Sequence, residues 1–310
     1  MKKTMLVLTI FVAGITTAQK ATKYFKPEVY SFKGNKIVFL DGYYSNFLEA
    51  VTTDSNYALQ FDRMVLEPIF HYVNKGRYSK FVYADMFSLP FDTADLPPVV
   101  EELKKDRAVI ELLISSAIKE SNLNMRNDSI TILITPFCDW YLTNTDPTCG
   151  LNAVATNPKQ IIISINPRIA EWSTMLSYIV AREFYQTCWL YKHQHDTIPP
   201  DLLSYILYEG MGDSYAHFIY NHVNAPWSHA LPDSALKGYW RKIKRLIYDT
   251  TTDNIMSVLY GSPDYMYMPW GGITLGYSIM QKAIEFNPDI VPQIWLDRDP
   301  EYFLLDSGYQ

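Results

Sequence analysis

The residues whose types and spacing best suggest chemistry are 181–186, which read A-R-E-F-Y-Q near the middle of the chain. In the pattern H-E-x-x-H, two histidines on one helix face bind zinc, and the glutamate between them is the general base for the metal-bound water. Glu183 keeps the place of that glutamate, but Arg182 and Gln186 stand where the histidines belong. Since a guanidinium and an amide are not ordinary zinc ligands, the pattern predicts a zinc site without its ligands.

The element that must position Glu183 is a helix over roughly residues 171–191. Apolar residues surround almost its whole circumference, which predicts a buried helix. Helical spacing places Arg182 and Gln186 on one side, with Glu183 at its margin. A buried unpaired charge costs several kcal/mol, so we expect a carboxylate opposite Arg182.

A second helix, predicted over about 202–222 after Pro199-Pro200, carries candidate carboxylates. Glu209 and Asp213 are four residues apart and share a face, and His217 lies one turn further along. In some zinc peptidases such a helix supplies a third ligand, and an Asp one turn later supports a ligand histidine. The ordinary alternative is a solvated face of an amphipathic helix.

These stretches resemble a bacterial family of predicted zinc-dependent proteases of unassigned substrate. The family is recognised by H-E-x-x-H, a later helix of the E-G-x-A-D type and a C-terminal W-G-G-x-x-x-G-Y stretch. The similarity covers roughly residues 129–310, and the matching segments are 161–167, 181–186, 208–213, 225–227, 270–272 with 276–277, and 304–309.

The resemblance implies an α+β, mostly helical zincin-like fold with a small β-sheet beside the active-site helix. It also implies Glu183 at the general-base position, Glu209 at the third ligand position and Asp213 as a support for a ligand. The family uses zinc, but because the departures fall on Arg182 and Gln186, we expect no bound metal here. A site rebuilt from Glu183, Glu209 and His217 is the alternative.

The first residues predict export. Lys2 and Lys3 precede an apolar run over 5–15 and a small-residue stretch that ends near Gln19. This pattern is typical of a secretory signal peptide, and the run is short for a membrane span. We therefore expect a signal peptide over 1–19, a periplasmic or secreted protein, and no membrane span after cleavage. Residues 20–310 are expected to form one domain, with a mainly helical part over 20–128 and a peptidase-like part over 129–310.

Composition limits the partners. The formal net charge of −6 becomes about −8 without Lys2 and Lys3, which argues against nucleic acid or an anionic membrane surface. Aromatic residues make up 15% of the chain, enough for an extensive core or an aromatic groove. The cysteines at 138, 149 and 188 lack metal-ligand spacing; Cys138 could pair with Cys149, but three pairings remain open.

Secondary-structure signals surround the two candidate helices. Strands are predicted over 129–136 and 160–166, with an edge strand or turn over 149–155 between them. In the N-terminal part, a helix over 58–72 should be split by Pro68, and one long helix is predicted over 99–120 with Val109, Leu112, Leu113 and Ile114 on its apolar face.

The sequence is compatible with two functions, one of a binding protein and one of an enzyme. The first is an exported metallopeptidase-like protein that has lost its metal and acts by binding a peptide, a protein or an envelope component. The second is a working zinc-dependent protease with unusual ligands. Arg182 and Gln186 favour the first.

Overall fold

The computed structural model describes residues 26–51, 56–73, 87, 93–137, 148–197 and 199–309. The predicted signal peptide and Cys138 lie outside the described residues, so export and the cysteine pairing stay predictions. Across the described ranges, no helix combines the length and apolarity that a membrane crossing requires.

The chain forms an α+β structure that is mostly helical and contains one small mixed sheet, as the sequence predicted. The strands are β1 Glu28–Phe32, β2 Asn35–Phe39, β3 Thr131–Pro136, β4 Leu151–Asn157 and β5 Gln160–Ile165. The α-helices are α1 Asp41–Val51, α2 Tyr57–Phe61, α3 Glu67–Val73, α4 Leu96–Lys105, α5 Arg107–Asn124, α6 Trp172–Lys192, α7 Leu202–Ile219, α8 Asp233–Ile243, α9 Thr252–Tyr260, α10 Gly271–Phe286, α11 Pro292–Trp295 and α12 Pro300–Asp306.

The sheet has the order β1-β2-β3-β5-β4, in which β2, β3 and β5 are parallel and the two outer strands run antiparallel to their neighbours. Its central strands are apolar on both faces because helices cover both. Ile132 and Ile163 face the core shared with α5, α6 and α7, whereas Leu133 and Ile162 face the core built by α1, α3 and α4. The edge strand β4 lies beside α6, which places a sheet edge next to the candidate site.

The N-terminal half corrects two predictions. The helix expected over 99–120 is two helices, α4 and α5, which meet at Asp106. The expected apolar face of the second helix is right for Ile114, which is buried, and for Leu113, which packs on the core, but wrong for Val109 and Leu112, which are 46% and 65% exposed. The buried apolar positions are Ile110, Ile114, Ala117 and Ile118, and the helix packs against α6.

The split expected at Pro68 takes the form of a π-helical segment, Asp62–Leu66, between α2 and α3. Pro68, the second residue of α3, follows this segment without a break in the helix, and because it has no N–H it cannot donate to a carbonyl of the preceding turn.

Helices α7 and α10 cross through two glycines. A Cβ built on Gly210 would lie 2.2 Å from the carbonyl carbon of Gly276, and one built on Gly276 would lie 2.0 Å from the carbonyl oxygen of Ile206. Only hydrogen atoms fit between the backbones at this crossing. The crossing therefore fixes α7, which carries Glu209 and Asp213, against the C-terminal part of the chain.

Candidate functional site: one guanidinium among three carboxylates

The centre of the site is the guanidinium of Arg182 on α6. Its Nε donates to Oδ1 of Asp213 at 3.1 Å, and its two terminal nitrogens donate to Glu183 and Glu209 in short contacts. A guanidinium carries five donors in a planar fork, which lets one side chain answer several carboxylates. The pairing of Arg182 with both carboxylates of α7, predicted from charge balance, is thus observed.

The side chains of this cluster are withdrawn from solvent. Arg182 is 9% exposed, Glu209 is 5% exposed, and Glu183 and Asp213 are fully buried. Burial alone would lower the pKa of Arg182, but the carboxylates of Glu209, Asp213 and Glu183 outweigh it and hold that pKa well above its usual range. The guanidinium is therefore a permanent charge at this position.

Glu183 connects the cluster to the sheet. Its Oε2 accepts a hydrogen bond of 2.6 Å from the backbone N–H of Ala155 on the edge strand β4. Burial raises the pKa of Glu183 to about 7, although Arg182 opposes that shift. Its proton occupancy therefore changes near neutral pH.

Glu209 is held from three sides. Besides Arg182, the amide of Gln186 donates to its Oε2 at 3.4 Å, and the hydroxyl of Tyr260 donates to its Oε1 at 3.2 Å. Burial raises the pKa of Glu209 against the opposing charge of Arg182. The charge of Glu209, followed by burial, raises the pKa of Tyr260 well above its usual range, so that hydroxyl stays a donor.

Asp213 lies deepest in the cluster. Its Oδ1 accepts from Arg182 and from the indole N–H of Trp227 at 3.0 Å, and the hydroxyl of Tyr178 donates to its backbone oxygen at 3.1 Å. Its Oδ2 is buried and makes no hydrogen bond to any described residue. Burying an ion pair with one oxygen that accepts no hydrogen bond costs free energy. Apolar contacts would join the two helices at a lower cost in free energy.

The charges of the cluster do not balance. Three carboxylates surround one guanidinium, so the group carries an excess of two negative charges when all are ionised and of one when Glu183 is protonated. Such an excess in a buried site is ordinarily answered by a metal ion or by proton uptake.

The residues present do not fit a zinc ion. The three carboxylates are engaged by Arg182, and an amide stands at Gln186 in place of an imidazole. Within residues 26–309, leaving out the undescribed stretches, no group of three or more His, Cys, Asp or Glu side chains could hold a metal ion.

His217, the alternative ligand, belongs to a different group of side chains. Its ring packs edge-on against Tyr277, with centroids 6.1 Å apart, and Tyr277 also contacts His229. Burial, assisted by His229, lowers the pKa of His217. His217 thus connects α7 to α10 through Tyr277. The hydrogen bonds of Arg182 go to Asp213, Glu183 and Glu209, and not to His217.

Partly exposed aromatic rings lie one helical turn from the cluster. Trp189 packs against Tyr208 with centroids 5.0 Å apart and stacks on His193 at 4.2 Å. The ring of Tyr260 is 44% exposed, while its hydroxyl reaches the buried Glu209. Aromatic side chains that reach solvent thus lie beside the buried cluster.

A separate cavity of about 830 Å³ lies away from the cluster. Its walls come from the end of α5, the end of α6 and the segment around α11, including Asn124, Lys159 and Leu296. None of the residues around Arg182 lines it. It plays no part in the candidate site.

Sequence reasoning missed three groups that contact the cluster. The backbone N–H of Ala155 could be anticipated only as part of a sheet edge beside the helix. Trp227 lies in segment 225–227, one of the segments that carry the family resemblance, but the resemblance assigned it no function. Tyr260 follows no motif, because its hydroxyl reaches Glu209 only through the packing of α9 beside α7.

The comparisons agree with the resemblance. A family model described as "Predicted Zn-dependent protease (DUF2268)" matches residues 110–304, so the chain belongs to this family of predicted zinc-dependent proteases. No curated protein and no solved structure matches the chain.

Proposed function

We propose that this protein is an exported member of its family in which Arg182 has replaced the catalytic metal, and that it acts by binding a peptide or protein partner rather than by hydrolysis. The observation that carries the proposal is the position of the guanidinium. It lies among Glu183, Glu209 and Asp213, the three carboxylates that the family resemblance assigns to a zinc site.

Charge explains why the replacement is stable. Removing a divalent ion from between buried carboxylates leaves their repulsion unanswered, which raises their pKa values or opens the site. Arg182 supplies one fixed positive charge there and three directed hydrogen bonds. Proton uptake by Glu183, whose pKa is about 7, answers part of the remaining excess.

The same contacts argue against hydrolysis. In a zinc peptidase the general base acts on a metal-bound water, whereas here Oε2 of Glu183 accepts from the N–H of Ala155 and Oε1 accepts from Arg182. Both oxygens serve the structure. The use that remains for the site is recognition, for which the exposed ring of Tyr260 and the partly exposed rings of Trp189 and Tyr208 supply apolar area beside polar groups.

The test combines metal analysis of the parent with a variant that restores the family pattern. We expect the parent, purified without chelator, to contain far less than one equivalent of zinc. Arg182→His with Gln186→His places two imidazoles beside Glu209 and removes the competing guanidinium, so this double variant should bind one zinc with at least about a hundredfold higher affinity than the parent.

The two single variants are the matched controls. Each restores only one imidazole, so each should bind zinc far more weakly than the double variant. Circular dichroism with and without zinc shows whether folding follows metal binding. A parent that holds one tight zinc, or a double variant that binds none, overturns the proposal. A double variant that stays unfolded in excess zinc also contradicts it, because zinc should then supply the missing charge.

A further inference from the structure

The exposed side of α8 carries a concentration of positive charge. Residues 237–245 contain five Lys or Arg and no Asp or Glu, in a chain whose net charge is −6. Lys237, Arg241, Lys244 and Arg245 are exposed, while Leu236, Tyr239, Trp240 and Ile243 turn inward. Among the described ion pairs, none involves a cation of this helix. The cations are therefore available to an external partner.

Beside this helix, loop 261–270 projects apolar side chains into solvent. Met266 is 79% exposed, Tyr265 is 59% exposed and Met268 is 51% exposed. A protein in water ordinarily keeps such side chains apart or covered, and a contiguous group of them marks an interaction surface. We call these three residues the apolar tip.

The apolar tip and the basic helix form one surface. Nζ of Lys242 on α8 donates to the carbonyl oxygens of Tyr265 and Met266, at 2.8 and 2.7 Å, and lies 4.4 Å from the ring centre of Tyr267. Lys242 therefore joins the helix to the loop, and the other four cations of residues 237–245 are exposed on the same stretch of chain. We call residues 237–245, which run past the end of α8, together with the apolar tip the basic-apolar surface.

The tip is fixed before it meets a partner. Ser262 and Tyr267 exchange two backbone hydrogen bonds of 3.1 and 2.9 Å, and the N–H of Met266 donates to the carbonyl of Pro263 at 3.0 Å. Met266 has a φ of 52°, a conformation that non-glycine residues rarely adopt. A backbone held this way presents the Met266 side chain outward at little entropic cost on binding.

We propose that the basic-apolar surface docks this protein onto an anionic phospholipid surface. The apolar tip enters the boundary between headgroups and acyl chains, and Lys237, Arg241, Lys244 and Arg245 contact the headgroup phosphates. Clusters of Lys and Arg beside an apolar anchor are what such a surface attracts, and Tyr side chains favour that boundary.

The shape of the surface favours lipid over an acidic protein. A protruding Met needs a matching pocket on a protein partner, whereas the acyl region of a bilayer accepts it without one. The negative net charge argues against anionic surfaces for the chain as a whole, but it is an average that does not describe residues 237–245, where five cations occur without an acid. The proposal does not depend on whether the Arg182 cluster binds zinc.

The experiment is co-sedimentation of residues 20–310 with vesicles of phosphatidylcholine alone and with a one-third share of phosphatidylglycerol. We expect binding only to the anionic vesicles, and weaker binding at high salt. Lys244→Glu with Arg245→Glu should lower the partition coefficient at least about twenty-fivefold, at roughly fivefold for each cation lost. Met266→Asn, which is neutral and suited to a left-handed backbone, should lower it about tenfold by removing the anchor.

The matched control is Lys36→Glu with Lys119→Glu. It makes the same change in net charge at two exposed sites outside the basic-apolar surface, so it should bind like the parent. Thermal unfolding verifies that each variant is folded. Absence of binding to anionic vesicles overturns the proposal, and so does binding that the control weakens as much as Lys244→Glu with Arg245→Glu. Loss on charge reversal with no effect of Met266→Asn also overturns it, since that result describes a purely electrostatic surface suited to an acidic protein.

Discussion

Arg107 and Arg182 both bind carboxylates, and their surroundings differ. Arg107, the first residue of α5, pairs with the buried Asp41 at 2.9 Å and with Glu28, which is 66% exposed. Its guanidinium also lies over the ring of Phe39, 4.8 Å from the ring centre. Arg182 meets three carboxylates, each of them nearly or fully buried.

The two arginines differ in where the surplus negative charge lies: near solvent beside Arg107, and in the interior beside Arg182. The Arg107 pair joins β1, α1 and α5, and solvent screens its surplus charge at Glu28. The Arg182 cluster keeps its surplus acid in the interior, where screening is weak and burial is costly. A buried surplus of acid is costly, and it is the arrangement expected if the carboxylates were placed for a more highly charged ion.

Arg182→Ala should be the most damaging single substitution in the cluster. It leaves three buried carboxylates without a cation, and breaking a buried pair from one side costs about 3 to 5 kcal/mol. Urea unfolding measures the loss, which should be greater at pH 8 than at pH 5 because the carboxylates can take up protons at low pH. Gln186→Ala is the control: it removes one long hydrogen bond to Glu209 and should cost about 1 kcal/mol. Equal losses for the two variants would contradict the role given to Arg182.

Glu183→Gln should change how stability depends on pH. The folded pKa of Glu183 is about 7 and its ordinary value is 4.5, so the folded protein binds this proton more tightly than the unfolded chain does. The associated stability is fully present below about pH 4.5, and it is lost as pH rises through about 7. The amide that Glu183→Gln introduces cannot titrate, so between pH 5 and pH 8 the variant should gain about 2 to 3 kcal/mol relative to the parent. A constant difference across that range would show that Glu183 does not titrate there.

Arg107→Ala should cost less than Arg182→Ala, about 1 to 3 kcal/mol, although it also strands a buried carboxylate at Asp41. The reason is access to solvent, since the Arg107 side chain is 21% exposed and water can reach its partners. Chemical denaturation of both arginine variants at the same pH gives the comparison directly. If Arg107→Ala were the more destabilising, burial of the surplus charge would not be what distinguishes the two clusters.

Tyr260→Phe should have the mildest effect, about 1 kcal/mol, because it removes one hydroxyl that donates to Glu209 and keeps the ring. The loss should increase with pH, since the hydroxyl favours the ionised form of Glu209. Tyr265→Phe is a suitable control, being an exposed tyrosine outside the cluster, and unfolding midpoints at pH 5 and pH 8 suffice to compare them. An unchanged midpoint for Tyr260→Phe at both pH values would show that this hydrogen bond adds nothing.

The sequence predicted the central elements well because their signals are local. The near-continuous apolarity of α6 requires burial, and the four-residue spacing of Glu209 and Asp213 places both on one side of α7. The partner of Arg182 also followed, since a buried charge needs an opposite one. These arguments need only helix geometry and charge balance.

What the sequence could not supply depends on how distant segments pack. The exposure of Val109 and Leu112 depends on how α5 packs against α6, since the apolar pattern of α5 fits more than one face. The bond from Ala155 to Glu183 needs the register of β4, and no local pattern states it. The basic-apolar surface is likewise invisible in the net charge, because only the fold brings α8 beside loop 261–270.

The glycine crossing of α7 and α10 has a consequence for motion. Gly210 and Gly276 bring the two backbones so close that neither helix can slide or rotate past the other without first moving apart. Slow opening fluctuations of this region must therefore separate both helices at once. Amide hydrogens of α7 and α10 should then exchange with solvent as one cooperative unit, whereas those of α1 and α2, which do not contact that crossing, are free to open on their own.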